Sequence, residues 1–116
     1  MKIDILCEEK IIGHSNLDPI DPPMGVATGR FVPTADYDPR RHAYMIDGDE
    51  NKLEASAEIS ARSDDHGMLA CAGVAIEDFN ETLQERNVTV LGLPYPEYET
   101  IFGAYSAYKA YWQNQD

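Results

Sequence analysis

Cysteine is scarce in this chain, and long apolar runs are missing. Cys7 and Cys71 cannot form a framework of several disulfides, and both fall in strand-like segments where a reduced cysteine packs as a small apolar residue. No apolar run approaches the roughly 20 residues that a membrane-spanning helix requires. The first residues, MKIDILCEEK, lack the long apolar stretch of a secretory signal. We therefore expect a cytoplasmic protein that has no membrane partner.

Basic residues are also few. The chain has 9 Lys and Arg against 21 Asp and Glu, a formal net charge of −12 at pH 7. Residues 45–86 contain eleven acidic and three basic residues, so most of the imbalance lies in the middle third. A negative field repels nucleic acid and anionic membranes, and it accelerates encounter with a cationic protein. The charge therefore argues against a nucleic-acid partner and favours a basic protein partner, although solubility alone would also explain it.

The length and the apolar pattern predict one compact domain over residues 1–116. A chain of this length buries about two thirds of its unfolded surface, which is enough for one core. Alternating or wholly apolar segments predict strands over residues 2–7, 11–14, 25–32, 55–63, 68–76 and 88–93. We expect the first two strands to form a hairpin, 25–32 to lie at a sheet edge, and 68–76 to be a central strand because it is apolar on both faces.

Helices are predicted to be short. Asp38 before Pro39 is typical of an N-cap followed by a single turn, and residues 77–87 allow one or two turns. Two further helices follow Pro96, with Gly103 between them. The sequence thus predicts an α+β fold: a mainly antiparallel sheet of about five to six strands, with short C-terminal helices packed on one face.

Residues 18–39 contain five of the seven prolines. A flexible linker would be poor in apolar residues, whereas this stretch interleaves them with its prolines. Because proline favours extended backbone, we predict an extended crossover over residues 18–23 that lays Leu17 and Ile20 against the core.

The acidic loop after residue 46 partly resembles an EF-hand calcium loop. Asp47, Asp49, Asn51 and Glu58 match the spacing of four of its ligands. Lys52 stands where the loop needs glycine, and residue 58 falls within a strand pattern. We therefore predict a solvated acidic turn, with no metal site and no cofactor.

Catalytic motifs are not convincing. His14, His42 and His66 are widely spaced and belong to no paired ligand motif. The run from Ser63 to His66 contains a nucleophile, acids and a base, but neighbours in a hairpin loop do not converge as a triad does. We assign no catalytic residue.

Seven of the eleven aromatic residues follow residue 94. Several have the spacing of three and four residues that places side chains on one helix face, which predicts packing against the sheet. Tyrosine and tryptophan are also enriched at interfaces, so a homodimer built on this end is an alternative. The residues of that predicted interface are Tyr105, Tyr108, Tyr111 and Trp112.

Together these features predict a small acidic binding protein or inhibitor that docks on a basic partner, as immunity proteins and nuclease inhibitors do. The residues predicted to contact the partner are carboxylates from the acidic middle of the chain. They are Asp47, Asp49, Glu50, Asp64, Asp65, Asp78, Glu81 and Glu85. The alternatives are a structural homo-oligomer and a small enzyme with an unrecognised pocket.

Overall fold

The computed structural model describes residues 1–51, 59–94 and 97–113, except the side chains of residues 21, 22, 97 and 100. The strands of this part of the chain are β1 (Lys2–Cys7), β2 (Lys10–Asn16), β3 (Asp18–Asp21), β4 (Val26–Arg30), β5 (Val32–Pro33), β6 (Met45–Ile46), β7 (Asp49–Glu50), β8 (Ile59–Ser63), β9 (Gly67–Met68), β10 (Gly73–Phe79) and β11 (Glu85–Leu91). Its α-helices are α1 (Pro39–His42), α2 (Asn80–Leu83), α3 (Glu97–Phe102) and α4 (Ser106–Gln113). A single 3₁₀ turn covers Pro22–Met24.

The strands form two sheets. Sheet 1 has the order β5-β2-β1-β8-β9, and sheet 2 has the order β3-β4-β11-β10-β6-β7. All pairs are antiparallel except β10 with β6, which is parallel. The structure therefore confirms the α+β class and the mainly antiparallel arrangement, with the strands divided between two sheets.

The predicted opening hairpin is confirmed. β1 alternates between outward and buried residues from Lys2 to Ile5, and Leu6 and Cys7 are then both buried after a register irregularity. It pairs with β2 on one side and β8 on the other, so it lies at the centre of sheet 1. Its turn places Glu8 and Glu9 in the left-handed region, with φ of 52° and 69°. Residues other than glycine, asparagine and aspartate rarely adopt this conformation, so two glutamates are a weak turn signal in the sequence.

One core joins the two sheets and the C-terminal helices. Its largest fully buried side chains are Ile5, Ile12, Leu17, Ile76, Val88, Val90, Tyr98 and Phe102. Among the described residues, no helix is long and apolar enough to cross a membrane.

The proline-rich stretch is folded, but two details of the prediction were wrong. Leu17 is fully buried as expected, whereas Ile20 is 51% exposed because side chains alternate along an extended strand, and Leu17 and Pro19 take the inward positions. β4 is also not an edge strand, since β3 pairs with its outer side.

The predicted central strand over 68–76 was also wrong. The chain instead leaves sheet 1 after β9 and enters sheet 2 at β10. Met68 is 58% exposed, and Ala70 and Ala72 are exposed in the connection. A run of small apolar residues has the same appearance in sequence whether it lies in one strand or crosses between two sheets.

The helices after residue 96 begin and end near their predicted positions. Tyr98 and Phe102 of α3 and Tyr108 of α4 are buried in the core, and the Tyr98 hydroxyl donates to the Val26 carbonyl at 2.7 Å. α4 lies against β3. The predicted packing of this aromatic segment against a sheet is thus confirmed.

Candidate partner-binding surface

The β6–β7 hairpin carries the acidic loop that the sequence singled out. Its turn is Asp47-Gly48, with φ of 50° and 90°, and Ile46 pairs with Asp49 across it. These dihedral signs are those of the tight turns that suit the twist of a hairpin, and glycine accommodates the larger positive angle without strain. The turn therefore presents Asp49 and Glu50 on exposed backbone of β7.

The carboxylate of Asp47 fixes this hairpin to α2. Its Oδ1 accepts hydrogen bonds from the Thr82 amide at 3.1 Å and from the Thr82 hydroxyl at 3.0 Å. The amide of Asp47 in turn donates to the Asp78 carbonyl at 2.7 Å. Glu81, the neighbour of Thr82, is thereby held beside the hairpin.

The first helix is fixed to the same region. Asp38 caps α1, since its Oδ1 accepts from the Arg40 amide at 3.1 Å, and Pro39 occupies the first turn as predicted. Asn51, which follows β7, donates from Nδ2 to the carbonyls of Arg40 at 2.8 Å and Ala43 at 2.9 Å. These bonds satisfy carbonyls at the end of α1 that have no partner within the helix.

A groove of about 350 Å³ lies between α1 and the hairpin, and both acidic and basic side chains line it. Its acidic edge is formed by Asp38, Asp47 and Glu81. Together with the two acids of β7 these residues make up what we call the acidic rim: Asp38, Asp47, Asp49, Glu50 and Glu81. Arg40 and Arg86 supply the cationic groups of the groove.

Asp78, which also lines the groove, is almost fully buried, whereas its prediction as a partner-binding residue assumed an exposed carboxylate. It is 3% exposed, and it accepts from the Tyr37 hydroxyl at 2.7 Å, from Arg86 Nε at 3.0 Å and from the Asn80 amide at 2.9 Å. Burial acts to raise the pKa of Asp78, but these three hydrogen bonds outweigh it and hold the pKa below its ordinary value. The carboxylate is therefore ionised and neutralised inside the protein.

Tyr37 is the partner of Asp78 that sequence reasoning missed. Its ring packs edge-on against Phe31 with centroids 4.9 Å apart, and the Arg86 guanidinium lies 5.7 Å from its centroid. Burial, together with the adjoining carboxylate of Asp78, raises the pKa of Tyr37 well above its ordinary value. The hydroxyl consequently remains a hydrogen-bond donor throughout the physiological range.

The other predicted acids divide between two places. Glu85 forms an ion pair with Arg30 at 3.3 Å, with both side chains exposed. Asp64 and Asp65 lie in the exposed β8–β9 turn of sheet 1. The structure thus places Asp47 and Glu81 at the groove, with Asp49 and Glu50 on the adjoining β7 and Asp78 buried in the groove lining. Glu85, Asp64 and Asp65 lie outside this set.

The acidic rim is not neutralised by the protein's own cations within the described part of the chain. Ion pairs there involve other carboxylates, namely those of Asp4, Glu8, Asp78 and Glu85. Arg40 and Arg86 line the same groove and Arg41 interacts with Asp38, so these cations weaken the negative potential there without forming an ion pair with a rim carboxylate in the described residues.

Two of the described calcium-loop residues use their side chains in hydrogen bonds within the protein. Asn51 uses its amide nitrogen on α1, and Asp47 uses one oxygen on Thr82. Lys52 and Glu58, which also bear on this prediction, lie outside the described residues. Across residues 1–51, 59–94 and 97–113, no group of three His, Cys, Asp or Glu side chains could hold a metal ion.

The candidate catalytic residues serve local structure. Ser63 Oγ accepts from the amides of Asp65 at 3.2 Å and His66 at 3.3 Å, which stabilises the turn. His42 is buried and accepts from the Asp38 amide at 3.0 Å, and burial lowers its pKa. His14 contacts Asp4 on the outer face of sheet 1. Cys7 is buried, Cys71 is half-buried, and both are free thiols.

Only some of the aromatic side chains predicted to form an interface are exposed. Tyr108 is 9% exposed and belongs to the core, so it contributes little to the exposed face of α4. Tyr105 packs edge-on against Phe102 with centroids 5.3 Å apart and is half-buried. Tyr111 is half-buried, and Trp112 is 46% exposed. The exposed aromatic surface of α4 is therefore centred on Trp112.

Comparisons with protein-family models, with curated proteins and with solved structures found no match to this chain. The functional argument consequently depends on the geometry and charge of the surface itself.

Proposed function

We propose that this protein binds a basic protein through the acidic rim. The observation that carries the proposal is the pair of hydrogen bonds from Thr82 to Asp47, because these hold Glu81 of α2 beside the β6–β7 hairpin. Carboxylates from three elements are thereby gathered around one groove in a chain of net charge −12. Reinforcing charges of one sign steer a cationic partner and determine the orientation in which it docks.

The groove suggests how such a partner would be engaged. Asp38 and Asp47 each use Oδ1 in the described hydrogen bonds, which leaves Oδ2 of each carboxylate to accept from a ligand. An arginine or lysine side chain entering between them would meet acceptors from α1 and from the hairpin. The buried Asp78–Arg86 pair at 3.0 Å would stay intact beneath it, since both of its charges are already satisfied.

A comparison of two charge-matched variants tests this proposal. The rim variant combines Asp49→Asn, Glu50→Gln and Glu81→Gln, and it leaves Asp47 in place because that residue holds α2. The control variant combines Asp64→Asn, Asp65→Asn and Glu99→Gln, which are exposed elsewhere and change the net charge equally. The probe is a fluorescein-labelled peptide of alternating arginine and lysine, and its affinity is measured by anisotropy at low and at high NaCl.

We expect the rim variant to bind the peptide roughly tenfold more weakly, because each exposed charge contact contributes about 0.2–1 kcal/mol. The control variant should bind within about twofold of the unmodified chain, and NaCl should weaken binding by screening. Equal losses in both variants would mean that net charge alone attracts the peptide, and the proposed surface would then be rejected.

A further inference from the structure

A second groove lies on the other sheet, on the face that points away from the core. One row of paired residues crosses all five strands of sheet 1. The row consists of Val32, His14, Asp4, Arg62 and Met68. Because Ile3 and Ile5, the neighbours of Asp4 on β1, are buried, this row faces outward.

The centre of this row is a connected set of charged side chains. Asp4 Oδ1 lies 2.9 Å from His14 Nδ1, and Asp4 Oδ2 accepts from Arg62 at 2.9 Å. The hydrogen bond from Arg62 holds the pKa of Asp4 below its ordinary value. Both oxygens of this carboxylate are thus occupied by the protein, and Nε2 is the ring nitrogen of His14 that remains for a ligand.

The groove beside this row has a volume of about 470 Å³, within the range of roughly 300–1,000 Å³ that small-molecule sites occupy. Lys2 and Arg30 line it and bring positive charge, while Val32, 56% exposed, brings apolar surface. The lining also includes the ring of His14. Asp4 and Asp64 also line the groove, and Arg30 additionally pairs with Glu85 at 3.3 Å, so this second groove carries charges of both signs.

We infer that this groove binds a small organic anion with an apolar body, such as an aromatic or short aliphatic carboxylate or sulfonate. Lys2 and Arg30 interact with the anionic group, and the apolar body covers Val32 and packs on the His14 ring. Burial of the exposed valine supplies the apolar part of the affinity, and the two cations supply charge-assisted contacts. Asp64 opposes the anion, and Glu85 competes with the anion for Arg30, so both limit the affinity. The charge of Asp4 in the lining is offset by its ion pair with Arg62.

The test uses the dye 8-anilinonaphthalene-1-sulfonate, whose aromatic body and sulfonate match the proposed class and whose fluorescence rises in apolar surroundings. A net negative protein disfavours non-specific adsorption of an anion, so saturable binding reports on a local site. The variants are Lys2→Gln with Arg30→Gln, Val32→Ser, and Asp64→Asn. Lys10→Gln with Lys109→Gln is the control, since it removes the same charge from exposed positions elsewhere.

We expect one saturable site, with affinity reduced about tenfold or more by Lys2→Gln with Arg30→Gln. Val32→Ser should weaken binding, Asp64→Asn should strengthen it, and the control should stay within about twofold. All these substitutions change exposed side chains only. Thermal unfolding of each variant separates loss of binding from loss of fold. The inference is overturned if no saturable binding occurs, or if the control weakens binding as much as the groove variant.

Because the two grooves lie on different sheets and favour ligands of opposite charge, this result is independent of the peptide experiment. A chain that binds the dye but not the cationic peptide would retain this inference and reject the proposed function.

Discussion

The hydroxyl of Tyr37 donates a 2.7 Å hydrogen bond to Oδ2 of Asp78. Asp78 also accepts from the Asn80 amide at the start of α2, and its carbonyl accepts from the Asp47 amide in the hairpin turn. Asp78 therefore links Tyr37 and the start of α2 through its carboxylate and the hairpin turn through its carbonyl, although it is almost fully buried. Asp78 acts as a positioning residue, and the exposed acids around it are the ones available for contact.

The Tyr37 bond is expected to contribute substantially to stability. Tyr37→Phe removes one donor to a buried, ionised carboxylate, so the free energy of unfolding should fall by about 1.5–3 kcal/mol. Tyr44→Phe is the matched control, since Tyr44 is 45% exposed, and it should change stability by less than about 0.5 kcal/mol. Urea unfolding followed by circular dichroism measures both, and equal stability of the two variants would refute the role of the bond.

The same carboxylate predicts that the free energy of unfolding decreases at low pH. The pKa of Asp78 is lower in the folded chain than its ordinary value of 3.8, and Asp4 shifts in the same direction. The unfolded chain therefore binds protons first at these two carboxylates, so their contribution to the free energy of unfolding should be constant above about pH 5 and should fall as the pH decreases below about 4. The lowered pKa of the buried His42 adds an earlier decline that begins near its ordinary value of 6.5. In Tyr37→Phe the free energy of unfolding should fall less with decreasing pH, because loss of that donor brings the pKa of Asp78 in the folded chain closer to its value in the unfolded chain. Unfolding curves between about pH 6 and pH 2 test this, and the same pH dependence in the variant and the unmodified chain would contradict it.

Local sequence patterns predicted the elements that depend on local chemistry. The alternation in β1, the Asp38-Pro39 cap and the helical spacing around Tyr98 and Phe102 each require only neighbours along the chain. The division into two sheets depends on which strands pair at long range, and the apolar run over 68–76 does not encode that choice.

The burial of Asp78 was missed for a related reason. In sequence it is one of eleven acids in the middle third, with nothing to distinguish it from exposed ones. Its cross-strand partner in the β10–β11 hairpin is Arg86, and this register is centred on Thr82. Had a β-hairpin centred on Thr82 been predicted from the sequence, it would have paired Asp78 with Arg86 across the two strands. The contribution of Tyr37 comes from a distant segment and had no local signal.

Two serines lie on either side of Ile3 in sheet 1, and replacing each with alanine should change stability in opposite directions. Ser15 and Ser63 both pair with Ile3 and are both buried, but Ser15 Oγ has no hydrogen-bond partner among the described residues, whereas Ser63 Oγ accepts two amide bonds. Ser15→Ala should raise the free energy of unfolding by about 1 kcal/mol, because it removes an unsatisfied buried hydroxyl. Ser63→Ala should lower it by about 1 kcal/mol. Chemical unfolding of the two variants compares them directly, and a loss of stability on Ser15→Ala would be contrary to this account.

The β1–β2 turn holds two glutamates in left-handed backbone conformation. Glu8 also forms an ion pair with Arg41 at 2.7 Å, which leaves Glu9 as the position to change. Glu9→Gly should raise the free energy of unfolding by about 1 kcal/mol, because glycine adopts positive φ without steric cost. Glu9→Gln removes the same charge and keeps the strain, so its stability should match the unmodified chain. If both variants are equally stabilised, charge and not backbone conformation limits this turn.

The most direct test of the proposed docking surface is to map where a cationic peptide binds. Amide chemical shifts of the uniformly ¹⁵N-labelled chain are recorded by NMR while the arginine–lysine peptide is titrated. We predict that the largest shift changes occur at Asp49, Glu50, Glu81 and Thr82, and that the Asp64–Asp65 turn changes little. Shift changes that are spread evenly over exposed acids, or are largest at the Asp64–Asp65 turn, would contradict the acidic rim as the binding surface.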